Sequence, residues 1–345
     1  MKNSLFRLGL IFFLSPVFGQ VSVAPSGSAP TDKPSEELSD HIRYIEGPEA
    51  DRLQTAVTRF QRGDDLVDLV SVVHLADATY YENLNRLLSG YDVVLYEMVG
   101  GAFSPESAEA AESGNDEMTA VRQLQTMAKS FLGLEFQLEG IDYSASNFVH
   151  ADAGWDLMSG LMEARNQNFS EIFTRAMALS QEGSIAGLPD TEADMNFMLG
   201  SLLTAVTTGD SNALKRLIAP FLSEAEGFIT QLEGEDGTVL VTERNKLVMA
   251  KLSEEQASHG AGKYAVFYGA GHMPDLESRL IDEGYTKVET VWADAWTMGD
   301  GGSDSTSAPA VAPADFFLNL LEENPEIMGT IQKMGEMLEQ LQTIE

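Results

Sequence analysis

Runs of consecutive apolar residues alternate along this chain with stretches whose apolar positions recur every three or four residues. Leu66–Val73 is nearly continuous in apolar side chains, the pattern of a strand covered on both faces. Tyr80–Leu88 follows with helical spacing and stops at Ser89-Gly90. Asp92–Met98 reads as the next strand through Val93-Val94-Leu95-Tyr96, Glu117–Leu132 as a helix, and Phe136–Ile141 as a third strand. Residues 155–235 are rich in Met and Leu without a strand pattern, which predicts a helical insert. A long helix over about Val239–Ala257 then leads to a buried strand at Lys263–Tyr268, a helix at Pro274–Glu283 and a strand at Lys287–Trp292. Alternating strands and helices predict an α/β fold with a mainly parallel sheet.

Two halves of this pattern echo each other. Leu69-Val70-Ser71-Val72-Val73-His74 and Tyr264-Ala265-Val266-Phe267-Tyr268-Gly269-Ala270-Gly271-His272 each run strand, turn, histidine, helix, Gly-Tyr, strand. The expected sheet is built from these two strand–His–helix–strand repeats, with the helical insert between them and a helical tail behind. Ligands sit outside the carboxyl ends of parallel strands, where both histidines fall.

The ends of the chain read differently from its middle. Residues 1–19 have an export leader's three parts: Lys2 and Arg7, the apolar Leu8–Leu14, and small residues ahead of a cut after Gly19. The apolar run is shorter than the roughly 20 residues that span a bilayer, so a periplasmic or extracellular protein without an integral membrane segment is expected. Residues 20–39 form a flexible lead-in, 40–297 the folded domain, 298–313 a Gly/Ser/Pro-rich linker, and 314–345 a tail. In the tail Ile327, Ile331, Met334, Leu338 and Leu341 lie on one helical stripe, suited to docking on the domain or to self-association.

Charge narrows the partners. With 21 Lys and Arg against 54 Asp and Glu, the net charge of −33 argues against nucleic acid and anionic lipid, which need a basic patch. The absence of cysteine removes disulfides, thiolate metal sites and a Cys nucleophile.

The candidate chemistry lies at the strand ends. His74 and His272 occupy equivalent positions, and imidazole there can ligate a metal or move protons. Glu97 closes the strand Val93–Tyr96 beside the same cleft. Gly269-Ala270-Gly271 permits close approach of main-chain N–H groups to a ligand. A second tier holds Asp142, at the end of the third strand, and His150 with Asp152, two apart on an extended segment and so on one face. These are further ligands or a polar loop cluster.

Val73-His74 with Glu97 behind it, Glu243-Arg244-Asn245 opening a helix, and Gly269-Ala270-Gly271-His272 resemble the TraB/TIKI superfamily. That superfamily includes GumN-type bacterial proteins and, more distantly, erythromycin esterases and ChaN-like proteins. Its paired GxxH motifs match fully at the second copy; the first, Ser71-Val72-Val73-His74, has serine where the family has glycine. The resemblance covers about residues 65–100 and 238–292. It implies a hydrolase of a peptide or other small amide or ester, with His74, Glu97, Arg244 and His272 as catalytic residues. His74, Glu97 and His272 would hold a divalent cation (Mn, Co or Zn) that activates water, Arg244 would face the oxyanion, and Gly269, Gly271 and Asn245 would meet substrate. The alternative for Arg244 is an ion pair fastening helix to sheet; Asn245 orients it or caps the helix. The other implied function is a non-catalytic binder of metal, haem or peptide on the same scaffold.

Overall fold

The computed structural model describes residues 41–99, 132–168, 171–172, 174–176, 179, 208–234 and 236–299. Its sheet centres on β3 (Asp65–Val72), β8 (Lys263–Gly269), β5 (Val93–Tyr96) and β7 (Phe148–His150), hydrogen-bonded in that order and all parallel. Along each strand, side chains alternate between two apolar layers. Val67, Leu69, Val93, Leu95, Tyr264, Val266 and Tyr268 pack on one side, against Val248, Met249 and Leu252 of α6 (Arg244–His259) and Met273, Leu276 and Leu280 of α7 (Met273–Asp282). Val70, Val72, Val94, Tyr96, Ala265 and Phe267 pack on the other, against Tyr80, Tyr81, Leu84 and Leu88 of α1 (Ala78–Leu88). The unbroken apolar runs follow from this three-layer burial, which is worth roughly 1.5–3 kcal/mol per large side chain.

The rest of the sheet is antiparallel. β2 (Ala50–Arg62) pairs with β9 (Thr286–Gly299) along almost its whole length, and also with β1 (Ile42–Ile45) and β3. Because β1, β3 and β9 all oppose β2, every other strand of this sheet among the described residues runs one way and β2 alone runs against them. The α/β architecture is as expected. The second crossover, however, carries the chain from β8 to β9 beside β2, not to a neighbour of β8.

Several expectations need correction. Phe136–Ile141 is not a strand: only β6 (Glu135–Phe136) pairs, antiparallel to the short β4 (Leu75–Ala76), and α2 (Gln137–Gly140) follows as one turn. The Tyr81 ring lies so close to Gly140 that an added Cβ would come within 2.5 Å of it, and the Gln137 N–H donates to His74 O. Together these contacts hold the segment as a turn against α1. The last strand continues past Trp292 to Gly299 and buries Trp296 and Met298, so the domain edge expected at 297 falls inside a strand. The described parts of residues 155–235 are helical, as expected: α3 (Trp155–Ala164), α4 (Ser211–Ser223) and α5 (Ala225–Glu233). The helix expected from Val239 opens with a π-helical turn, Val239–Glu243, before α6. The leader, the lead-in, residues 117–131 of the helix ending at Leu132, the linker from 300 onward and the tail lie outside the described residues.

Among the described residues, no helix is long and apolar enough to cross a membrane.

Candidate active site

β5, β8 and β7 end side by side, and the amino ends of α6 and α7 meet the chain there. Glu97 is the first residue beyond β5. Its Oε1 accepts from Arg244 Nη2 at 2.5 Å and lies 3.4 Å from His272 Nε2, and its Oε2 accepts from the Gly269 N–H at 2.7 Å. Burial pushes this carboxyl up, but the charge of Arg244 above all, with His74 adding to it, outweighs burial and holds Glu97 well below the ordinary carboxylate range.

Arg244 opens α6, where the helix dipole disfavours a cation. Two carboxylates offset that cost. Nε and Nη2 form a fork on Asp152 at 2.8 and 2.7 Å, and Nη2 also reaches Glu97. Nη1 donates to Leu240 O at 3.1 Å and to His272 Nε2 at 3.2 Å. All five guanidinium N–H donors therefore have an acceptor within the protein. Burial works against the charge, yet Glu97 and Asp152 prevail and raise the Arg244 pKa. The ion pair fastening helix to sheet is present. Contact with an oxyanion requires one of these bonds to be released.

His272 leads into α7. Its Nδ1 lies 2.7 Å from Asn245 Oδ1, and Asn245 Nδ2 donates to the His272 carbonyl at 3.0 Å. A carbonyl only accepts, so the amide presents its oxygen to the ring, and Nδ1 carries the hydrogen. Arg244 only donates, so Nε2 presents its lone pair. Both constraints select one neutral tautomer. The Tyr268 ring packs edge-on against the imidazole, with centroids 5.2 Å apart, and its hydroxyl donates to Ala151 O at 2.6 Å. Burial, with Asp152 adding to it, raises the Tyr268 pKa well above its usual value.

The expected site residues separate into those the fold gathers and those it does not. Glu97, Arg244, His272 and Asp152 form one cluster. Asp152 enters it as the partner of Arg244, with its side chain wholly shielded. His74 follows β3, whose Val72 lies opposite Gly269, so the two histidine strands are neighbours. It is exposed, its Nδ1 sits 2.8 Å from Gln137 Oε1, and Gln137 in turn donates to the Tyr143 hydroxyl. Its charge reaches Glu97, but its ring is held by α2.

Three expected ligand contacts are used inside the protein. The Gly269 N–H is taken by Glu97, Gly271 is pressed against Ile229 of α5, and Asn245 is fully buried with both ends of its amide bonded. Asp142 lies away from the cleft because the strand it was expected to close is a helical turn; its carboxylate accepts from the Ser144 N–H and hydroxyl. His150 Nε2 sits 2.8 Å from Met98 O, and its ring faces Tyr96.

As arranged, His74, Glu97 and His272 do not close around an ion. Among the described residues no group of three or more His, Cys, Asp or Glu side chains is placed to hold one. Glu97 Oε1 and His272 Nε2 both face the Arg244 guanidinium, a cation already between them. Sequence reasoning missed Gln137, Tyr143 and Tyr268. None lies in a recognisable motif, and Tyr268 reads only as strand core.

No protein-family model matches the chain, and neither a curated protein nor a solved structure matches it.

Proposed function

We propose that this chain is an exported hydrolase of a peptide or another amide or ester, with His272 as general base. One observation carries the reading. A neutral imidazole, its Nδ1–H held by Asn245, directs the Nε2 lone pair toward Arg244 and Glu97 where parallel strands end. Catalytic bases need this fixed tautomer and an adjacent carboxylate to receive the imidazolium.

The reaction follows from these groups. Arg244 Nη1 first turns from Nε2 to the substrate carbonyl oxygen; the freed Nε2 lone pair takes a proton from a water whose oxygen attacks the carbonyl carbon, and the carbonyl electron pair moves to oxygen. A protonated Nε2 cannot accept from Arg244 Nη1 again, so that N–H stays on the oxyanion. Glu97 Oε1, 3.4 Å from Nε2, stabilises the imidazolium. The tetrahedral intermediate then collapses, and the imidazolium returns its proton to the departing amine or alkoxide. No step passes through a metal.

The test is a peptide and ester hydrolysis screen on purified mature protein, with chelator and with added Mn²⁺, Co²⁺ or Zn²⁺, in wild type and His272→Gln. Turnover in chelator that His272→Gln abolishes supports the reading. Turnover only with added metal would restore a metal-assisted route. Stoichiometric uptake of metal, haem or peptide without turnover would make the chain a non-catalytic binder.

A further inference from the structure

His272 cannot act as described unless its Nδ1 keeps the hydrogen, and that depends on which way the Asn245 amide faces. Asn245 is fully buried, and its Nδ2 donates a second hydrogen bond, to Asp275 Oδ2 at 2.7 Å. Asp275 lies in the first turn of α7, one turn beyond His272, where the helix dipole favours a carboxylate. Arg279, a further turn along, grips it with two bonds: Nε to Oδ2 at 2.6 Å and Nη2 to Oδ1 at 3.0 Å. Each link has a fixed sense. A guanidinium only donates and a carboxylate only accepts, so Asp275 can face only the NH₂ end of Asn245. Turning the amide over would set its oxygen against both the Asp275 carboxylate and the His272 carbonyl.

We infer that Asp275, anchored by Arg279, is a positioning residue that fixes the Asn245 amide and thereby the Nδ1–H tautomer of His272. The chain Arg279–Asp275–Asn245–His272 runs along the outer edge of α7 into the cluster, so the site's protonation geometry is set from a half-exposed ion pair. An asparagine at 275 could present either its oxygen or its NH₂, which leaves the His272 carbonyl as the one fixed acceptor holding the amide's direction. The catalytic meaning of the chain rests on the proposed hydrolase reading. The tautomer itself does not.

The experiment is long-range ¹H–¹⁵N NMR of the ring nitrogens in the full chain labelled in its histidines, with His272→Gln assigning the signal. Wild-type His272 is expected as the neutral Nδ1–H form. Asp275→Asn should move part of the population to the Nε2–H form, against the remaining hold of the His272 carbonyl and Arg244, and Arg279→Gln should do so to a smaller extent. Arg279→Gln also keeps the test open if Asp275→Asn fails to fold. A wild-type His272 in the Nε2–H form, or a tautomer unmoved in every variant that folds, overturns the inference. In an active preparation, Asp275→Asn should lower kcat with KM little changed, on the order of 10- to 100-fold, as loss of the outer partner of a functional imidazole does elsewhere. A tautomer that moves in protein without turnover would sustain the chain and reject the hydrolase. Turnover with an unmoved tautomer would do the reverse.

Discussion

Replacing Asp152 by asparagine removes one charge from the most enclosed ion pair in the cluster and keeps the side chain's shape. The carboxylate is wholly shielded and the Arg244 side chain is 7% exposed, so neither charge has water to fall back on. Removing one partner of such a pair costs about 3–5 kcal/mol, mostly because the remaining charge is left buried. Glu97 still faces Arg244 at 2.5 Å and the asparagine oxygen can keep one bond of the fork, which places the expected loss near the lower end, about 3 kcal/mol. For a domain of 150–250 residues each kcal/mol lowers the melting temperature by about 2–4 °C, so a drop of roughly 6–12 °C is expected. Urea unfolding followed by circular dichroism measures the same quantity, and the midpoint should move without a change in slope. A loss below about 1 kcal/mol, the range of solvent-exposed pairs, would refute the claim that this fork is desolvated.

Two other outcomes follow from the same geometry. The Glu97 pKa is depressed in the folded state, so its charge stabilises the fold above the unfolded value of about 4.3, and that stabilisation is lost as pH falls through the lower folded value. The stability advantage of wild type over Glu97→Gln, from urea titrations across pH, should be complete near neutrality and shrink progressively as pH falls below the unfolded value of about 4.3; an advantage that grows on acidification would contradict it. A methyl at Gly271 meets the terminal methyl of the half-buried Ile229 side chain of α5, which can turn aside in part, so Gly271→Ala should cost about 1 kcal/mol, the low end for added bulk. Most of that loss should return in the Gly271→Ala/Ile229→Val double variant, and a double variant as unstable as the single would rule out this contact.

What could be read in the sequence depended on how completely an element is enclosed. β3, β5 and β8 are covered on both faces, so their apolar runs needed no period to interpret. β2 was invisible for a specific reason. Its bulky buried residues, Leu53, Val57 and Phe60, are spaced four and three apart, a helical stripe, while the intervening buried Thr55 and Thr58 look polar. Phe136–Ile141 misled in the opposite direction: Phe136 and Leu138 alternate with polar neighbours as in a strand, but Leu138 is left exposed and Tyr81 sets the backbone.

Within the site, Glu97 and His272 were legible because each sits just beyond the end of a buried strand. The direction in which Arg244 and Asn245 spend their donors was not, since it depends on Asp152 and Asp275, which approach from separate segments. Nothing in the spacing of His74 and His272 distinguishes the ring that joins Glu97 from the one that turns to Gln137.

Chain order and sheet order disagree at the centre of this fold. β8 lies between β3 and β5 in space, yet it follows both by about half the length of the chain. A chain forming from its amino end can close the β2–β3 hairpin at once, but must leave a strand-wide gap until Lys263 and the residues after it arrive. The closure entropy of that long connection is met late, so the slow step of folding falls on the insertion of β8. Until then β3 and β5 present apolar faces and open edges, and their premature pairing with each other is the competing misfold. The same late strand delivers Gly269 and His272 to Glu97. Partly folded intermediates therefore carry no assembled cluster, and whatever chemistry it performs begins only once the central strand is in place.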